Sequence, residues 1–586
     1  MMKLMMALMG ALLVAASAVA DSLNPMVLNG KLPDQYAGWD LALSGKESPW
    51  FAYYGADNTL YVRRPDGAEL GLGAADRPRQ QSGLAMTPVD DGLALLWRDK
   101  LPRKHLYLIS KLDPTGIAPP PVVVAGEESE PLTRLKLARD GDVEYLLWLG
   151  EKGDPDSKEK YHLYFRTVEQ GGKALSPVER VMPGRYPAWI VDRDVIPVFS
   201  WMTHEGQLAM TQRVFDRAKK NFGPVTKITD APPIAPVFEA FKSGERWFLV
   251  WLGQYGEGAD PLLEGVYSDD KGQTWKRFAI EDLRGLDVGG LSVVADDKGH
   301  LLIALDGNRR LRDPDSKNNV YVVRSTDNGS TWQKPQTVRP DDLRLTRAQY
   351  PVLALGAEPG TVLLAWEDWR GIRPNVYVSY SRDYGATWEP AVPLARPGVW
   401  NLGLDPQPRV LLKRGDRFFL VAEQYRDDSL LKQKDMDYVL YAFTWDEARR
   451  GAEEFKMAET QSRATEAKLR ERATTYWQAM QDGQYETTYA LMDPFYRNKR
   501  DFRAYLSSKG TVKYHRYQIG QITQKGNIAR VQVEIDASVP EFKSSSGKTI
   551  SQPLKTIAFA ETWVFVNNDW YREYYDEVAE KTFTRY

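Results

Sequence analysis

Ser268-Asp269-Asp270-Lys271-Gly272-Gln273-Thr274-Trp275, Ser325-Thr326-Asp327-Asn328-Gly329-Ser330-Thr331-Trp332 and Ser381-Arg382-Asp383-Tyr384-Gly385-Ala386-Thr387-Trp388 share one pattern, Ser-x-Asp-x-Gly-x-Thr-Trp. Their starts lie 57 residues (268 to 325) and 56 residues (325 to 381) apart. Five identities returning three times at nearly fixed spacing mark a repeat of the size that propellers and solenoids use. The chemistry is that of a tight turn: Asp accepts backbone N–H bonds, Gly permits a positive φ, and Trp offers a large surface to bury between sheets. Ser268, Asp270, Gly272 and Trp275, Ser325, Asp327, Gly329 and Trp332, and Ser381, Asp383, Gly385 and Trp388 are therefore read as structural sets. The three carboxylates are expected to be turn staples, with no catalytic or calcium-binding duty, and no metal or cofactor is called for.

A similar rhythm of about 50 residues runs outward from these segments. Apolar strands ending in Trp recur at Leu93 to Trp97, Tyr145 to Trp148, Val198 to Trp201, Phe248 to Trp251 and Val362 to Trp366. After most of them comes a charged or Gly-rich loop and then a Tyr/Val-rich strand such as Tyr161 to Phe165 or Val376 to Tyr380. This divides the chain into units at 34–72, 78–120, 131–181, 184–229, 232–280, 288–337, 347–394 and 400–447, eight in all, with seven or six as the alternative count.

The octapeptide resembles the Asp box (BNR repeat) of sialidases and their many non-sialidase relatives. The resemblance implies a mainly β fold, a sialidase-like propeller over 21–447, with each box in the turn between the third and fourth strands of a four-stranded blade. Sialidases have six blades, so either this ring is larger or the first units form something else, and eight blades are favoured over seven. Strand parity then puts the one-to-two and three-to-four turns on one side and the two-to-three loops on the other. The former are short, as in Arg139-Asp140-Gly141-Asp142. The latter are long and charged: Trp97 to His105, Leu149 to Lys160, Leu305 to Asn319, Glu367 to Asn375 and Glu423 to Asp437. Long loops on one end of a rigid scaffold are where binding concentrates.

From Trp445 to about Met480 the sequence turns into charged helix, read as a linker over 448–470 and then the first helix of a domain at 471–586. Ala473, Tyr476, Trp477 and Met480 share one helical face. Val531, Val533 and Ile535 alternate with polar residues, and Thr556 to Val566 and Trp570 to Tyr575 read as two further strands around Asn567-Asn568-Asp569. Tyr476-Trp477-Gln478-Ala479, Asp482-Gly483-Gln484-Tyr485 and Glu561-Thr562-Trp563 resemble an NTF2-like (SnoaL-like) α+β cone domain. Gln484 departs from the Asp or Asn common there. In that family the cone is a ligand pocket, an enzyme site or a packed core, and the many aromatic residues here favour a core.

Lys3, the apolar stretch Leu4 to Ala16 and Ala18-Val19-Ala20 form a secretory signal over 1–20, so a periplasmic or secreted protein is expected. The apolar run is shorter than the ~20 residues a membrane span needs, and no span is expected after signal removal. The chain has no cysteine, which excludes disulfides, thiolate metal sites and a lipid-modified N-terminal cysteine. Lys and Arg (77) nearly balance Asp and Glu (79), so nothing drives binding to nucleic acid.

A search for catalysis finds a degraded grammar. A sialidase needs an arginine triad for the substrate carboxylate, a Tyr nucleophile polarised by Glu, and an Asp acid/base. The nearest match to the family's first arginine is Gly184-Arg185-Tyr186-Pro187, and the place of the Asp reads Ser200-Trp201-Met202-Thr203-His204-Glu205. Trp366-Glu367-Asp368-Trp369-Arg370 offers Asp368 and Arg370 to a ligand from a two-to-three loop, although such stretches also pair internally. Tyr425, near Glu423, and Arg309, Arg310 and Arg312 are further loop candidates. No His-Glu-x-x-His, phosphate loop or Gly-x-Ser-x-Gly elbow is present. The expectation is an exported module whose loop-rich face binds a glycan or a protein through Arg185, Asp368, Arg370 and Tyr425, without catalysis. The alternative is an exo-sialidase-type glycoside hydrolase acting on acidic glycans.

Overall fold

The computed structural model describes residues 25–582 except for short segments, the longest being 30–38, 75–82, 152–159, 310–316, 340–345, 403–410, 427–435 and 452–464. The expected export signal, Arg310, Arg312 and most of the 448–470 linker lie outside the described residues. Among the described residues, eight antiparallel sheets of four or five strands follow one another between residues 26 and 443. The first seven begin with Trp39–Ala42, Leu84–Val89, Pro131–Asp140, Arg185–Trp189, Pro233–Ser243, Asp287–Ala295 and Ala348–Leu355. First strands of neighbouring sheets touch along most of the series, so they gather at the centre, the arrangement of a β-propeller.

The second strands carry the core. Arg246–Gly253, Leu301–Asn308 and Val362–Asp368 are buried along nearly their whole length, which explains why they read as continuous apolar runs rather than alternating ones. Their side chains fill apolar clusters that each join two consecutive sheets. Val250 and Leu252 of the fifth sheet meet Ile303 and Leu305 of the sixth, and Leu302 and Ala304 meet Leu364 and Trp366 of the seventh. The last cluster joins Phe419, Val421 and Leu440 of the eighth sheet to Trp39, Leu41, Phe51 and Tyr53 of the first. Packing thus returns to its starting point. The eighth sheet is completed from the other end of the described chain: Met26–Asn29 pairs antiparallel with Met436–Phe443 as its outer strand.

The three repeated octapeptides form the turns between the third and fourth strands of the fifth, sixth and seventh sheets. Their geometry is the same each time. In the second, the Ser325 hydroxyl donates to Asp327 Oδ1 (2.7 Å) and accepts from Gly329 N–H (2.9 Å). Thr331 gives its N–H to Asp327 Oδ1 (2.9 Å) and its hydroxyl to Oδ2 (2.6 Å). Lys271, Asn328 and Tyr384 adopt positive φ values of 54°, 56° and 53°, followed by Gly272, Gly329 and Gly385 at 84°, 75° and 76°. The glycine also presses on the preceding sheet, where a Cβ on Gly329 would come 2.6 Å from the Phe248 ring. Next to it the tryptophan enters the inter-sheet cluster: Trp275 meets Phe199 edge-on at 5.9 Å and Trp332 stacks with Phe278 at 5.6 Å.

Beyond a short helix at 445–451, capped reciprocally by Thr444 and Glu447, the C-terminal unit begins with helix Glu466–Asp482. Thr465 caps its N-terminus and Gly483, at φ 72°, ends it. The helix packs on an antiparallel sheet whose order follows the chain, Lys513–Lys525, Ile528–Lys543, Thr549–Val566 and Asp569–Arg572. The third of these strands starts seven residues earlier than the sequence pattern suggests. Residues 549–555 are exposed, so their side chains show no apolar alternation, and they are held by pairing with Val539, Phe542 and Lys543.

This unit docks on the loop after Val362–Asp368. Trp369 and Ile372 pack against Ile528, Val564 and Tyr571, and Asn527 donates to the Arg370 carbonyl (3.2 Å). At the joint, Arg373 Nη2 lies 2.9 Å from Asp493 Oδ1 with both side chains buried. Ile372 is held at φ 66°, an unusual conformation for a β-branched residue, and contacts on both sides keep it there.

Hydrogen bonds hold the Asp270 carboxyl down to about 2, chiefly those from the Thr274 side chain and N–H, with that from Ser268 weaker and burial opposing. Burial opposes at Asp327 and Asp383 too, but the bonds from Thr331 and Thr387 prevail and both sit below the usual range. A carboxyl depressed on folding contributes stability that is complete above the unfolded value, about 4, and is lost as pH falls through the folded value. Asp327→Ala should therefore lower thermal stability at pH 7, by about 1–2 kcal/mol because water competes for the turn, with the deficit shrinking from about pH 4 downward. Gly329→Ala should be costlier, and calcium should leave every midpoint unchanged. Arg373→Ala, which removes one partner of the buried Asp493 carboxylate, should weaken docking of the C-terminal unit by about 1.5–3 kcal/mol, read as earlier unfolding of that unit in hydrogen exchange.

Candidate ligand-binding face

Each first strand begins at the end of its sheet from which the two-to-three loop springs, and in five consecutive sheets it is irregular there. The register shifts between Thr133 and Lys136, Arg185 and Ala188, Pro233 and Phe238, Val288 and Gly290, and Gln349 and Val352. Within these bulges Arg134, Tyr186 and Tyr350 have φ values of 58°, 56° and 60°. Non-glycine residues rarely take this conformation, and a bulge re-aims the side chain that it carries. Long polar residues and tyrosines thus gather where the central strands start.

Two guanidinium–tyrosine stacks occupy this end. Arg134 lies over the Tyr186 ring, 4.6 Å from its centroid, and Arg185 lies over the Tyr161 ring at 4.9 Å. Lys160 approaches the same Tyr161 ring at 5.6 Å and also pairs with Glu151. Arg185 is exposed, its carbonyl accepting from the Ser200 hydroxyl (2.7 Å). Gly184 before it has φ 139° and sits where a Cβ would fall 2.3 Å from Ser200 Oγ, so Arg185 follows a position restricted to glycine. Burial lowers the proton affinity of Arg134, and Tyr186 partly offsets it.

Further along the same strands, Lys136 of the third sheet and Glu239 of the fifth sense each other's charge. Glu239 is exposed, and neighbouring protein atoms partly desolvate its carboxyl. Enclosure pushes its carboxyl up against the opposing pull of Lys136. Enclosure likewise pushes the Lys136 ammonium down, with Glu239 working against this and Arg134 adding to it.

Asp368 occupies a different environment from that of an open loop. It is fully buried, with Arg339 Nε at 2.9 Å and Arg370 Nη2 at 2.7 Å from Oδ2, which also accepts from Trp366 Nε1 (2.9 Å). Burial works against its ionised form, and the two guanidinium groups outweigh that and hold the carboxyl low. Arg370 is committed to this carboxylate and stacks on Tyr377 at 4.0 Å. Beside it Glu367 Oε1 accepts from Gln349 (2.7 Å) and Trp369 Nε1 (2.6 Å). The Trp-Glu-Asp-Trp-Arg stretch thus shapes the loop on which the C-terminal unit docks. Tyr425 pairs through its backbone with Trp400 and Met436 in the eighth sheet, and its side chain lies outside the described residues. Arg309 donates to the Arg284 carbonyl (3.1 Å).

Sequence reasoning did not single out Arg134, Lys136, Glu239 or Tyr350. The available signal was a long charged or aromatic residue at the start of an otherwise apolar first strand, and it is faint because bulges break the period-two pattern that marks a strand.

No protein-family model matches the chain, and no curated protein matches it. Among solved structures, the polysaccharide lyase Uly1 is similar at 10% identity over 63% of this chain and 91% of that one, with a TM-score of 0.38. The β-propeller domain of the Trilobed protease from Pyrococcus furiosus is similar at 14% identity over 61% of this chain and 98% of that one, with a TM-score of 0.34. The K499G mutant of NanB sialidase from Streptococcus pneumoniae is similar at 9% identity over 71% of this chain and 94% of that one, with a TM-score of 0.28.

Proposed function

We propose that this is an exported, sialidase-like Asp-box propeller of eight blades, the eighth closed by Met26–Asn29, followed by an NTF2-like C-terminal domain. Its loop-bearing end binds a glycan without chemical turnover. The observation that carries this reading is the run of bulges at the start of consecutive first strands, with Arg134, Tyr186 and Tyr350 in left-handed backbone conformations and two guanidinium–tyrosine stacks beside them. Strained backbone at one end of a rigid scaffold is a pointer to function. Tyrosine faces suit the C–H faces of sugar rings, and guanidinium forks suit hydroxyl pairs and carboxylates. Stacking pre-orders the arginines, which cuts the entropy lost on binding. Asp368 and Arg370 serve the joint to the C-terminal domain in this reading, and Arg185 remains a ligand contact.

Glu239 supports a second reading as a hydrolase, since a carboxyl whose proton affinity is raised by its surroundings suits a general acid. The two readings separate on one set of proteins. Arg134→Ala, Arg185→Ala and Tyr186→Ala should each weaken retention on the preferred member of a glycan array by about tenfold or more, and no fluorogenic glycoside should turn over. Turnover abolished by Glu239→Gln would replace binding by hydrolysis, while an empty array together with capture of a protein through the same residues would replace the glycan by a protein partner.

A further inference from the structure

The first strand of the seventh sheet carries its bulge under restraint. Its register jumps from Gln349 opposite Glu367 to Val352 opposite Ala365, so Tyr350 and Pro351 together face the single residue Trp366. Tyr350 stands at φ 60°, and the proline after it crowds its backbone and has no N–H to give to a ladder. Such a conformation persists where neighbouring contacts over-determine it.

Those contacts come from one loop. Trp369 gives its N–H to the Arg347 carbonyl (2.9 Å) and its indole Nε1–H to Glu367 Oε1 (2.6 Å), the same oxygen that accepts from Gln349 Nε2 (2.7 Å). Arg339, which pairs with Asp368, also donates to the Thr346 carbonyl (2.9 Å) and hydroxyl (2.6 Å). Thr346, Arg347 and Gln349, the residues that lead into Tyr350, are thus tied directly or through Arg339 to Glu367, Asp368 and Trp369.

The other side of this loop meets the C-terminal unit, where Trp369 and Ile372 pack against Ile528 and Val564 and Asn527 donates to the Arg370 carbonyl. Trp369 therefore belongs to both contacts: its ring is buried at the joint, and its two N–H groups hold the start of a central strand. Tyr186 is the counterpart in the fourth sheet, at φ 56° and also followed by a proline. There the Ser200 hydroxyl holds the neighbouring Arg185 carbonyl, a restraint internal to that sheet.

We propose that the C-terminal unit is a positioning domain for the ligand-binding face: its docking fixes Trp369, which through Glu367 and Gln349 keeps Tyr350 in its bulged conformation. The contacts are contiguous from Ile528 to Gln349, and the second arrangement that coupling requires is the relaxed strand, in which Tyr350 returns to extended backbone. The consequence for ligand rests on the glycan-binding reading above. The coupling itself does not.

The test is hydrogen exchange of the full chain, followed by mass spectrometry over residues 346–353, 185–191 and 560–566. Ile528→Asp, on the C-terminal side of the joint and away from the loop's hydrogen bonds, should speed exchange over 346–353 by about tenfold and leave 185–191 as in the parent. Trp369→Phe keeps a ring at the joint and removes the indole N–H; it should speed exchange over 346–353 while 560–566 stays protected. Adding Ile528→Asp to Trp369→Phe should bring less than about a threefold further change over 346–353, because the two substitutions break one chain of contacts. Unchanged exchange over 346–353 in either single variant, an equal rise over 185–191, or multiplication of the two effects in the double variant would each overturn the coupling. On the glycan array, Ile528→Asp should weaken retention as much as Tyr350→Ala does, and retention that survives undocking would overturn the positioning role. An array on which even the parent retains nothing would remove the glycan reading, with the exchange data still deciding the coupling.

Discussion

One serine hydroxyl, placed between an aspartate and a glycine N–H, organises the most regular part of this molecule. In each octapeptide turn it donates to the carboxylate and accepts from the glycine, and the carboxylate in turn collects the threonine two groups at a time. That closed set fixes the left-handed pair of residues before and at the glycine. The glycine can then lie flat against the neighbouring sheet, and the tryptophan that follows is delivered into the cluster between sheets. A local polar network therefore sets a long-range apolar contact. Gln212 reinforces it from the fourth sheet by donating to the Gly272 carbonyl (2.5 Å).

How far the sequence could be read tracks how local each determinant is. The octapeptides and the Trp-ending second strands are specified by residues within a few positions of one another. Their elements could be placed from pattern alone. The irregular starts of the first strands could not, because the backbone of Arg134, Tyr186 or Tyr350 is set by register with a partner strand and not by its neighbours in the chain. Asp368 shows the same limit from the other side. Its pairing with Arg370, two positions on, is one of the readings its sequence admits, whereas Arg339, nearly thirty residues away, leaves no local signal.

The joint between the propeller and the C-terminal unit joins apolar and ionic contributions. Trp369 and Ile372 bury surface against Ile528 and Val564, and the buried pair of Arg373 and Asp493 adds a directional contact that disfavours alternative seatings. The loop that carries these residues leaves the same end of the molecule as Arg185 and Tyr161. Docking there fixes one border of the loop-bearing face.

The outer strand Met26–Asn29 belongs to the first residues that the structure describes, yet its partner, Met436–Phe443, is more than four hundred positions later. During synthesis the leading strand must wait until nearly the entire ring has been made before it finds that partner. Throughout the wait the growing array presents an unpaired edge at its front and another at its rear, the kind of surface that recruits foreign strands. The order of events is thus imposed by topology: intermediate sheets can pack pairwise as they appear, while circular closure is necessarily a late step. Accelerating translation cannot remove that delay, and a helper that shields strand edges would act most effectively before residue 443 emerges.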